Sequence, residues 1–375
     1  MNADIAYCDY NATTPVRPEA AEAVTRALAI GGNPSSVHAA GRAAKALLEN
    51  AREAVAKGVG ARARDVIFTG GATEALQLAL EAARDTYDDL IISEIEHDAL
   101  WEATATMDEM SPLRVDGDGL VDLGHLGDLL AAASHPLVAV MLANNETGVV
   151  QPVAQVAARV REAGGLLLVD ASQAVGRIPV DIGVLDASYL VMSSHKTGGP
   201  PGAGALVLAP GAPFAITRRG GGQEQGRRPG TENVPALAGF GAAMEAAATI
   251  ETSRVQQLRE LFEKRLRRDH ADVVIFGAEA PRLPNTSLFA LPGTPAELAL
   301  IALDLEGVAL SSGSACSSGK VKSSRVLLAM GVESATARCA LRASFGWASS
   351  EHDVERLLAA LTKVRARFGA LQESV

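Results

Sequence analysis

Short apolar runs alternate with helical stretches between residues 66 and 208, and this alternation restricts the folds that are open to the chain. The runs are four to seven residues long; they occupy residues 66–69, 90–93, 137–143, 166–170, 189–193 and 205–208. A strand that is apolar on both faces belongs in a sheet that is covered on both sides. The pattern therefore predicts an α/β fold, with a mostly parallel sheet flanked by helices.

The other periodic segments predict helices around that sheet and a second, smaller unit after it. Helices are expected at residues 18–29, 41–59, 73–84, 99–107, 153–163 and 234–250. Beyond Glu251 strand patterns become sparse, while amphipathic helices open and close this part of the chain. A chain of 375 residues has room for about two domains. We therefore expect a large domain over residues 12–250 and a smaller α+β domain formed by residues 1–11 and 251–375.

The balance of charges excludes two classes of partner. The chain has 34 basic and 44 acidic residues, a formal net charge of −10 and a sequence pI near 5.3. Nucleic acids and anionic membranes bind basic surfaces, so neither is expected as the main partner. No run reaches the ~20 apolar residues of a membrane helix. The N-terminus also lacks the basic start and apolar stretch of a secretory signal.

The chain contains three cysteines, Cys8, Cys316 and Cys339, which are too few for a disulfide framework. An odd number without a secretory signal is typical of the reducing cytosol, so a cytoplasmic location is expected. Any cysteine with a function then acts as a thiol. Cys8 and Cys339 are expected to be structural, whereas Cys316 lies among five serines and two glycines in SSGSACSSGK, where a buried structural role fits poorly.

One lysine lies where a solvated surface charge is not expected. A buried-type strand at residues 189–192 ends in Ser193, Ser194, His195 and Lys196, and a loop of glycines and prolines follows. Lysine is ordinarily exposed, so a strand that delivers one to such a loop needs a chemical reason. Ligands of open α/β sheets bind beyond the carboxyl ends of the strands. We interpret Lys196 as the residue that forms a Schiff base there.

A second strand end supplies a carboxylate at the same edge of the sheet. Asp170 ends the run LLLVD, where an acid is costly unless a cation or a hydrogen-bond donor meets it. Taken alone, it is more simply a helix cap or half of a buried salt bridge. Together with Lys196 it completes the pair that pyridoxal phosphate (PLP) enzymes require, a Schiff-base lysine and an acid for the pyridinium nitrogen. Gln173, three residues on, can reach the same site.

Three other segments extend this candidate site. The motif GGATE at residues 70–74 offers free N–H groups at a helix start to a phosphate, although Thr73 as a plain N-cap explains it equally well. His97 follows the second strand, where an imidazole can stack on a cofactor ring and move protons. A lone histidine is more often structural. Asn144 and Asn145 follow the third strand and offer amide donors.

Nine motifs, in this order and at these separations, resemble those of the cysteine desulfurases of the class V aminotransferase group. The match runs from Asp9 to about Gly346, and its motifs read NATTP, NPSSVH, GGATEA, EHDAL, NNETG, VDASQAVG, SSHK, RRPGTEN and SSGSACSSG. The resemblance implies the fold type I of PLP-dependent transferases. It also implies an enzyme that cleaves L-cysteine to L-alanine and carries the sulfur as a persulfide to an acceptor or an iron–sulfur scaffold protein.

By the same resemblance, each candidate residue at the cofactor has a role. Lys196 holds PLP and shuttles a proton, and Asp170 keeps the ring nitrogen protonated. Gln173 contacts the ring oxygen, while His97 stacks on the ring and exchanges a proton. The phosphate contacts come from a further set, namely Ala72, Thr73, Ser193 and His195, with Thr231 reaching across from the other subunit. A homodimer is therefore implied.

The resemblance also implies which residues bind the substrate and which cysteine receives its sulfur. Asn145, which also lies at the cofactor, and Arg342 grip the substrate carboxylate, a task that suits a fork-shaped guanidinium. Cys316 takes the sulfur as a thiolate on a loop expected at residues 311–324, where Lys320 and Lys322 can lower its pKa. No resident metal is expected, and a transient iron–sulfur contact at Cys316 stays open. The length of this loop resembles the type that feeds iron–sulfur scaffolds directly.

Two segments depart from the family pattern. GPPG at residues 199–202 stands where GPKG is expected, and GGQEQGRR stands where GGQERGRR is expected. Pro201 and Gln225 thus replace basic residues. Neither change touches a proposed catalytic residue, and both are expected at the pocket rim or the dimer contact.

Other functions stay open at this point. An aminotransferase on the same scaffold has no use for a cysteine on a serine–glycine loop, whereas a selenocysteine lyase is harder to exclude. A non-catalytic scaffold protein has no reason to keep Lys196, Asp170, His97 and Cys316 together. The destination of the sulfur, whether general iron–sulfur assembly, nitrogenase or tRNA thiolation, is likewise undecided by the sequence.

Overall fold

The structure is a computed structural model that describes residues 5–104, 110–249, 252–313 and 323–372, with side chains as far as residue 368. Its strands are β1 Ala6–Tyr7, β2 Val66–Thr69, β3 Asp89–Ser93, β4 Met110–Leu113, β5 Pro136–Met141, β6 Leu166–Asp170, β7 Tyr189–Ser193, β8 Gly204–Leu208, β9 Val274–Ile275, β10 Thr286–Ala290, β11 Val308–Ala309, β12 Ser311–Ser312 and β13 Ala340–Ser344. Its helices are α1 Pro18–Ile30, α2 Ala39–Lys57, α3 Ala72–Ala83, α4 Asp98–Thr104, α5 Leu123–Ala132, α6 Val153–Glu162, α7 Ser194–Thr197, α8 Val234–Ala247, α9 Thr252–Asp269, α10 Ala296–Leu305, α11 Arg325–Ala329, α12 Ser334–Ala337 and α13 Glu351–Gln372.

Seven strands form the large sheet, in the order β2-β8-β7-β6-β5-β3-β4. All neighbouring pairs are parallel except those of β8, which runs antiparallel to both β2 and β7. The predicted mostly parallel sheet is therefore confirmed. The edge strand β4 and the helix α5 were not predicted; β4 reads MSPL, and its proline and polar residues suit an edge rather than a buried strand.

Strand β7 shows why the apolar runs are continuous. Leu190 and Met192 belong to one hydrophobic cluster, which includes residues of α2 and α8. Tyr189 and Val191 point to the other face, where they join a cluster that includes residues of α3. Successive side chains of a strand point to opposite faces, so both faces here must be apolar. Full burial of each such side chain contributes about 1.5–3 kcal/mol.

Residues after position 252 build a second, smaller sheet. Its four strands are antiparallel and lie in the order β12-β13-β10-β9. The N-terminal strand β1 pairs in parallel with β11, so the start of the chain lies against this later part. Its apolar cluster includes Phe262, whose ring lies 5.4 Å from that of Phe289 and 5.9 Å from that of Phe345. The division into residues 12–250 against 1–11 and 251–375 stays a prediction.

Within the described part of the chain, no helix is both long enough and apolar enough to cross a membrane.

Candidate functional site

A cavity of about 710 Å³ lies beyond the carboxyl ends of β5, β6 and β7, against the start of α3. This is the edge at which open α/β sheets bind their ligands. Nine of the residues proposed from the sequence line it: Ala72, Thr73, His97, Asn145, Asp170, Gln173, Ser193, His195 and Lys196. The fold thus brings together side chains that are separated by more than a hundred positions in the chain.

Lys196 does not lie in a loop, as the sequence suggested, but in the helical turn α7, which follows β7 directly. Gly198, with a φ of 92°, ends the turn in the left-handed region that favours glycine. The Lys196 ammonium donates hydrogen bonds to the main-chain oxygens of Asn11 at 2.5 Å and Ala12 at 2.9 Å. Its amine therefore has a defined position at the wall of the cavity.

Asn11 connects several of these groups, although it was not among the site residues predicted from the sequence. Its main-chain oxygen accepts hydrogen bonds from Lys196 and, at 3.0 Å, from Gln173 Nε2. Its buried side chain accepts from Arg177 at 2.9 Å and donates to the main-chain oxygen of Asn145 at 3.1 Å. NATTP was recognised as a motif, but nothing in the sequence pairs Asn11 with partners so distant in the chain.

Arg177 lies behind the cavity wall. It contacts Gln173 Oε1 and donates a hydrogen bond to the main-chain oxygen of Tyr10 at 3.0 Å. Burial, together with the charge of Arg342, lowers the pKa of this guanidinium to about 9. Because Arg177 occupies the Gln173 oxygen and the Asn11 oxygen takes one amide N–H, the second Nε2–H of Gln173 is the donor that remains.

Asp170 ends β6 and is buried, with 8% of its surface exposed. Its Oδ1 accepts the Ser172 N–H at 2.9 Å. The Ser172 hydroxyl lines the same cavity and is buried without a hydrogen-bond partner among the described residues. The Asp170 charge also acts on Glu96, a buried carboxyl whose pKa is raised well above its usual value, mainly by burial. This wall of the cavity therefore presents one carboxylate and one orphaned hydroxyl.

His97 precedes α4, and its Nδ1 accepts the Ala99 N–H at 3.0 Å. In a neutral ring the proton then belongs on Nε2. Burial lowers the pKa of His97; the Asp170 charge opposes this effect, and the Lys196 charge reinforces it. A neutral imidazole with an Nε2–H donor is thus the form expected at neutral pH.

The start of α3 has no side-chain cap. Its N-cap residue is Gly71, and Thr73 lies in the first turn, so the alternative of Thr73 as the N-cap is wrong. A Cβ on Gly204 would lie 2.6 Å from the carbonyl carbon of Gly71, so this close approach requires glycine. Uncapped N–H groups at the positive end of a helix suit an anion.

His195 lies beside this helix start and carries no charge of its own. Burial and the charges of Lys196 and Arg177 lower its pKa to about 4. Its Nδ1 lies 3.2 Å from the Thr13 hydroxyl. The neutral ring can therefore contribute a hydrogen bond to a ligand at α3, but not a full charge.

Two predicted site residues that the structure describes, Arg342 and Thr231, do not line the cavity. Arg342, on β13, donates to the Asn145 main-chain oxygen at 2.9 Å and pairs with Asp9 at 2.8 Å. Its Nε is buried without a partner in the part of the chain that the structure describes. Thr231 is exposed and lies away from the cavity. Cys316 lies outside the described residues, as do Lys320 and Lys322.

The model of the class V aminotransferase family matches residues 6–357 of the chain. The chain belongs to the class V aminotransferase family. Within this family it is 37% identical to an IscS-like cysteine desulfurase from Mycobacterium tuberculosis, with 98% of both chains covered. It is 36% identical to the cysteine desulfurase IscS of Dictyoglomus turgidum over 96% of this chain and 94% of that one. The resemblance drawn from the nine motifs is thus confirmed.

Solved structures of class V relatives agree with the fold. A NifS-like protein from Rickettsia africae superposes with a TM-score of 0.90 at 34% identity, covering 96% of this chain and 99% of that chain. A protein named SspA, solved in complex with cysteine, superposes with a TM-score of 0.79 at 27% identity, covering 90% of this chain and 98% of that one. The class V aminotransferase fold is therefore the fold of this chain.

The two departures from the class V pattern lie at different places. Pro201 and Gly202 line the cavity, so the proline in place of the expected lysine changes the rim of the site. Gln225 is exposed and has a φ of 59°, next to Glu224, which has a φ of 48°. The glycine-rich loop therefore contains two successive non-glycine residues in the left-handed region, where backbone strain must be offset by other contacts.

A buried ion pair supplies those contacts. Arg52 on α2 binds Glu224 through two hydrogen bonds, of 2.6 and 2.8 Å, and its guanidinium lies 4.7 Å from the centre of the Phe68 ring. Glu224 also accepts the Phe68 N–H at 2.9 Å. The pair could not be predicted from the sequence, because neither residue stands in a pattern that points to the other.

Proposed function

We propose that this class V protein is a PLP-dependent cysteine desulfurase. In the proposed reaction, L-cysteine and an enzyme thiol give L-alanine and an enzyme persulfide, so that the sulfur passes from one thiol to the other. One observation carries the proposal: Lys196 and Asp170 meet in one cavity, at the ends of neighbouring strands, beside the uncapped start of α3.

The residues present fit the cofactor. The cavity has the volume expected of a small-molecule site. The α3 N–H groups of Ala72 and Thr73, with Ser193 and His195, suit a phosphate, and the orphaned Ser172 hydroxyl suits a polar ligand. Asp170 matches a ring nitrogen that must stay protonated. When bound, pyridoxal phosphate supplies an electron sink for a carbanion at the substrate Cα.

Within this reaction, the protein's own side chains handle the protons. Lys196 anchors the cofactor and, once released, is the amine placed to take the Cα proton. Its resting hydrogen bonds to Asn11 and Ala12 keep it at the cavity wall. His97, neutral and with its proton on Nε2, lines the same space and can donate a hydrogen bond there. Gln173 presents its amide nitrogen, because Arg177 occupies its oxygen.

We assign the substrate carboxylate to Asn145 and Arg342. Arg342 is one hydrogen bond away from the cavity, through the Asn145 main-chain oxygen, and its Nε is the donor without a described partner. A carboxylate is the natural acceptor for a buried guanidinium donor. Asn145 and Asp9 bind the two terminal nitrogens of Arg342, which fixes the direction of its Nε.

Cys316 is the thiol that we assign to the sulfur, with the loop at residues 311–324 as its carrier. The other two cysteines are buried, and burial raises the pKa of Cys8 above its usual range, which makes that thiol unreactive. The acceptor is a sulfur-binding or iron–sulfur scaffold protein. We place the protein in the cytoplasm, on the basis of the small and odd number of its cysteines.

We further propose a homodimer in which Thr231 reaches the phosphate of the second copy. Thr231 is exposed and does not line the cavity of its own chain, which supports a role in the other. The buried pair between Arg52 and Glu224 would hold the loop before Thr231 in place. The large domain over residues 12–250 would then form both the cofactor site and this contact.

The test is incubation of the PLP-loaded protein with L-cysteine and a reductant, with sulfide and alanine measured together. The proposal expects both products in equal amounts from the parent, and no sulfide from Cys316→Ala. A matched control is Cys339→Ala, which should keep its activity. Sulfide release from Cys316→Ala at the parental rate would overturn the persulfide step, and activity with L-selenocysteine alone would indicate a selenocysteine lyase.

A further inference from the structure

Arg177 is a partly buried cation just outside the cavity, and it does not line the cavity itself. Its terminal nitrogens meet five oxygens, and all five are neutral. They are the side-chain oxygens of Asn11 and Gln173 and the main-chain oxygens of Tyr10, Gln173 and Lys196. Among the described residues, no carboxylate acts on this guanidinium. Its positive charge is therefore not cancelled by a described neighbour.

The contacts of Gln173 determine which end of its amide faces the cavity. A guanidinium can only donate hydrogen bonds, and a main-chain oxygen can only accept them. The Gln173 oxygen must therefore face Arg177, and one amide N–H must face the Asn11 main-chain oxygen, which lies 3.0 Å from the amide nitrogen. Gln173 is buried and lines the cavity, so its second N–H is the group left for a ligand there. Arg177 thus opposes the reversed amide, which would turn an oxygen toward the ligand.

The charge of Arg177 also reaches the cavity. His195 lines the cavity, and three effects lower the pKa of its imidazole to about 4: burial, then the charge of Lys196, then the charge of Arg177. The hydrogen-bonding neighbour of this ring is the neutral Thr13 hydroxyl, 3.2 Å away. Arg342, on β13, is the charged residue that acts on Arg177 itself. His195 therefore senses a positive potential at the part of the cavity that we assign to the phosphate.

We propose that Arg177 is a positioning residue for the cofactor: it directs one N–H of Gln173 toward the ring oxygen and holds a fixed positive charge behind the cavity wall. The inference rests on the proposed function, in that the cavity is taken to hold PLP. An ionised ring oxygen is a strong acceptor for an N–H, and a nearby cation favours the ionised form. Because Arg177 does not line the cavity, it acts through Gln173 and through its charge.

The charge is tested by comparing Arg177→Met and Arg177→Lys with the parent in the PLP-loaded protein. Methionine loses the charge and the donors, whereas lysine keeps the charge but not the fork of donors. Loss of a nearby positive charge favours protonation, so the pH midpoint of the cofactor's visible absorbance should rise in Arg177→Met by about half a pH unit or more. The nuclear magnetic resonance titration of His195 should move in the same direction. Both readings should stay close to the parent in Arg177→Lys.

The fork of donors is tested by the affinity for PLP. Arg177→Lys leaves the Gln173 amide free to reverse, so the Kd for PLP should rise about fivefold or more. In Gln173→Met no amide remains to be oriented, and adding Arg177→Lys should then change Kd by less than about twofold. Arg161→Met is the matched control, because Arg161 is an exposed arginine on α6. It should equal the parent in all of these measurements.

None of these measurements requires turnover. A parent that binds PLP but releases no sulfide would refute the proposed function and leave the test of Arg177 intact. A merely structural role predicts lower stability in urea, with the absorbance midpoint and the His195 titration unchanged. That result in Arg177→Met, or an equal effect of Arg177→Lys on PLP affinity with and without the Gln173 amide, would overturn the inference. If Arg177→Met does not fold, the cycle between Arg177→Lys and Gln173→Met decides.

Discussion

The Lys196 ammonium and the main-chain oxygen of Asn11 are 2.5 Å apart, although 185 positions separate the two residues in the chain. Asn11 is 1% exposed, and its side chain is held by Thr286, Asn285 and Arg177. The segment before α1 is therefore part of the site and not merely a terminal extension.

We predict that Asn11→Ala destabilises the protein and also disturbs the lysine. The change removes the hydrogen bonds that the buried Asn11 side chain makes with Thr286, Asn285 and Arg177, at a cost of about 3 kcal/mol. Urea unfolding measures this cost, and the visible absorbance of the PLP-loaded protein should shift as well. The matched control is Asn33→Ala, an exposed asparagine; an equal loss in the two variants would count against a special role of Asn11.

Asp170→Asn should distinguish the effect of the Asp170 charge from that of its hydrogen bond to Ser172. Asn retains an oxygen that can accept the Ser172 N–H, so unfolding free energy should change by less than about 1 kcal/mol. Without the negative charge, the ring nitrogen loses its partner, and kcat for sulfide release should fall by about a hundredfold or more. The nuclear magnetic resonance titration of His97 should move to lower pH, because the Asp170 charge raises its pKa in the parent. An unchanged kcat would contradict the assignment.

The raised pKa of Glu146 predicts a dependence of stability on pH. The ordinary value is 4.5 and the folded value is about 7. Between these values the folded protein holds a proton that the unfolded chain has released, so this group's contribution to stability falls as the pH rises and is lost above about pH 7. The shift corresponds to roughly 3 kcal/mol.

Glu146→Gln removes that dependence, which unfolding in urea at pH 5 and pH 8 can measure. Relative to the parent, the variant should gain stability between the two values. Glu263→Gln is the matched control: burial raises the pKa of Glu263, but pairing with Arg282 outweighs this and leaves it lowered, so its contribution has the opposite sign. Parallel pH profiles for the parent and Glu146→Gln would show that the carboxyl does not titrate as described.

Removal of one partner from the Arg52–Glu224 pair should be costly. Both side chains are at most 5% exposed, so Glu224→Ala leaves the buried Arg52 guanidinium with Glu49, 46% exposed and 3.3 Å away, as its ion partner, and should cost about 3–5 kcal/mol. The exposed pair between Arg26 and Glu22 serves as the control, and Glu22→Ala should cost less than about 1 kcal/mol. Similar losses for the two variants in thermal or urea unfolding would refute this contrast.

The same ion pair allows a test of the proposed dimer. If Glu224 holds the loop before Thr231, Glu224→Ala should weaken the dimer, as sedimentation would detect, while Glu22→Ala should not. Arg52→Met combined with Glu224→Leu should recover stability, because apolar side chains can replace a buried pair. A loss of stability without a change in association would show that the ion pair does not support the dimer contact.

The strands and helices around the site could be predicted because their signals are local. Val66–Thr69, Leu166–Asp170 and Tyr189–Ser193 have the predicted bounds, since each continuous apolar run is buried on both faces. The helical turn at Lys196 was not predicted, because four residues carry too little periodicity to reveal it.

Contacts between distant segments could not be derived from patterns. Asn11 and Glu146 stand in motifs that were recognised, and Arg177 directly follows one, yet their partners are set by how the chain folds back. The sheet edge could be inferred, since parallel strands end on one side. The residues that hydrogen-bond behind this edge could not be inferred, because hydrogen bonding between residues distant in the chain leaves no pattern in spacing or composition.

Gly313 and Ser324 lie side by side, so the chain between them leaves and returns at a single place. The number of residues between Gly313 and Ser324 can therefore change without moving β12 or α11. The two sheets and the cavity are thus insulated from the length of the sequence between these two residues, and that length can vary while the cavity stays as it is.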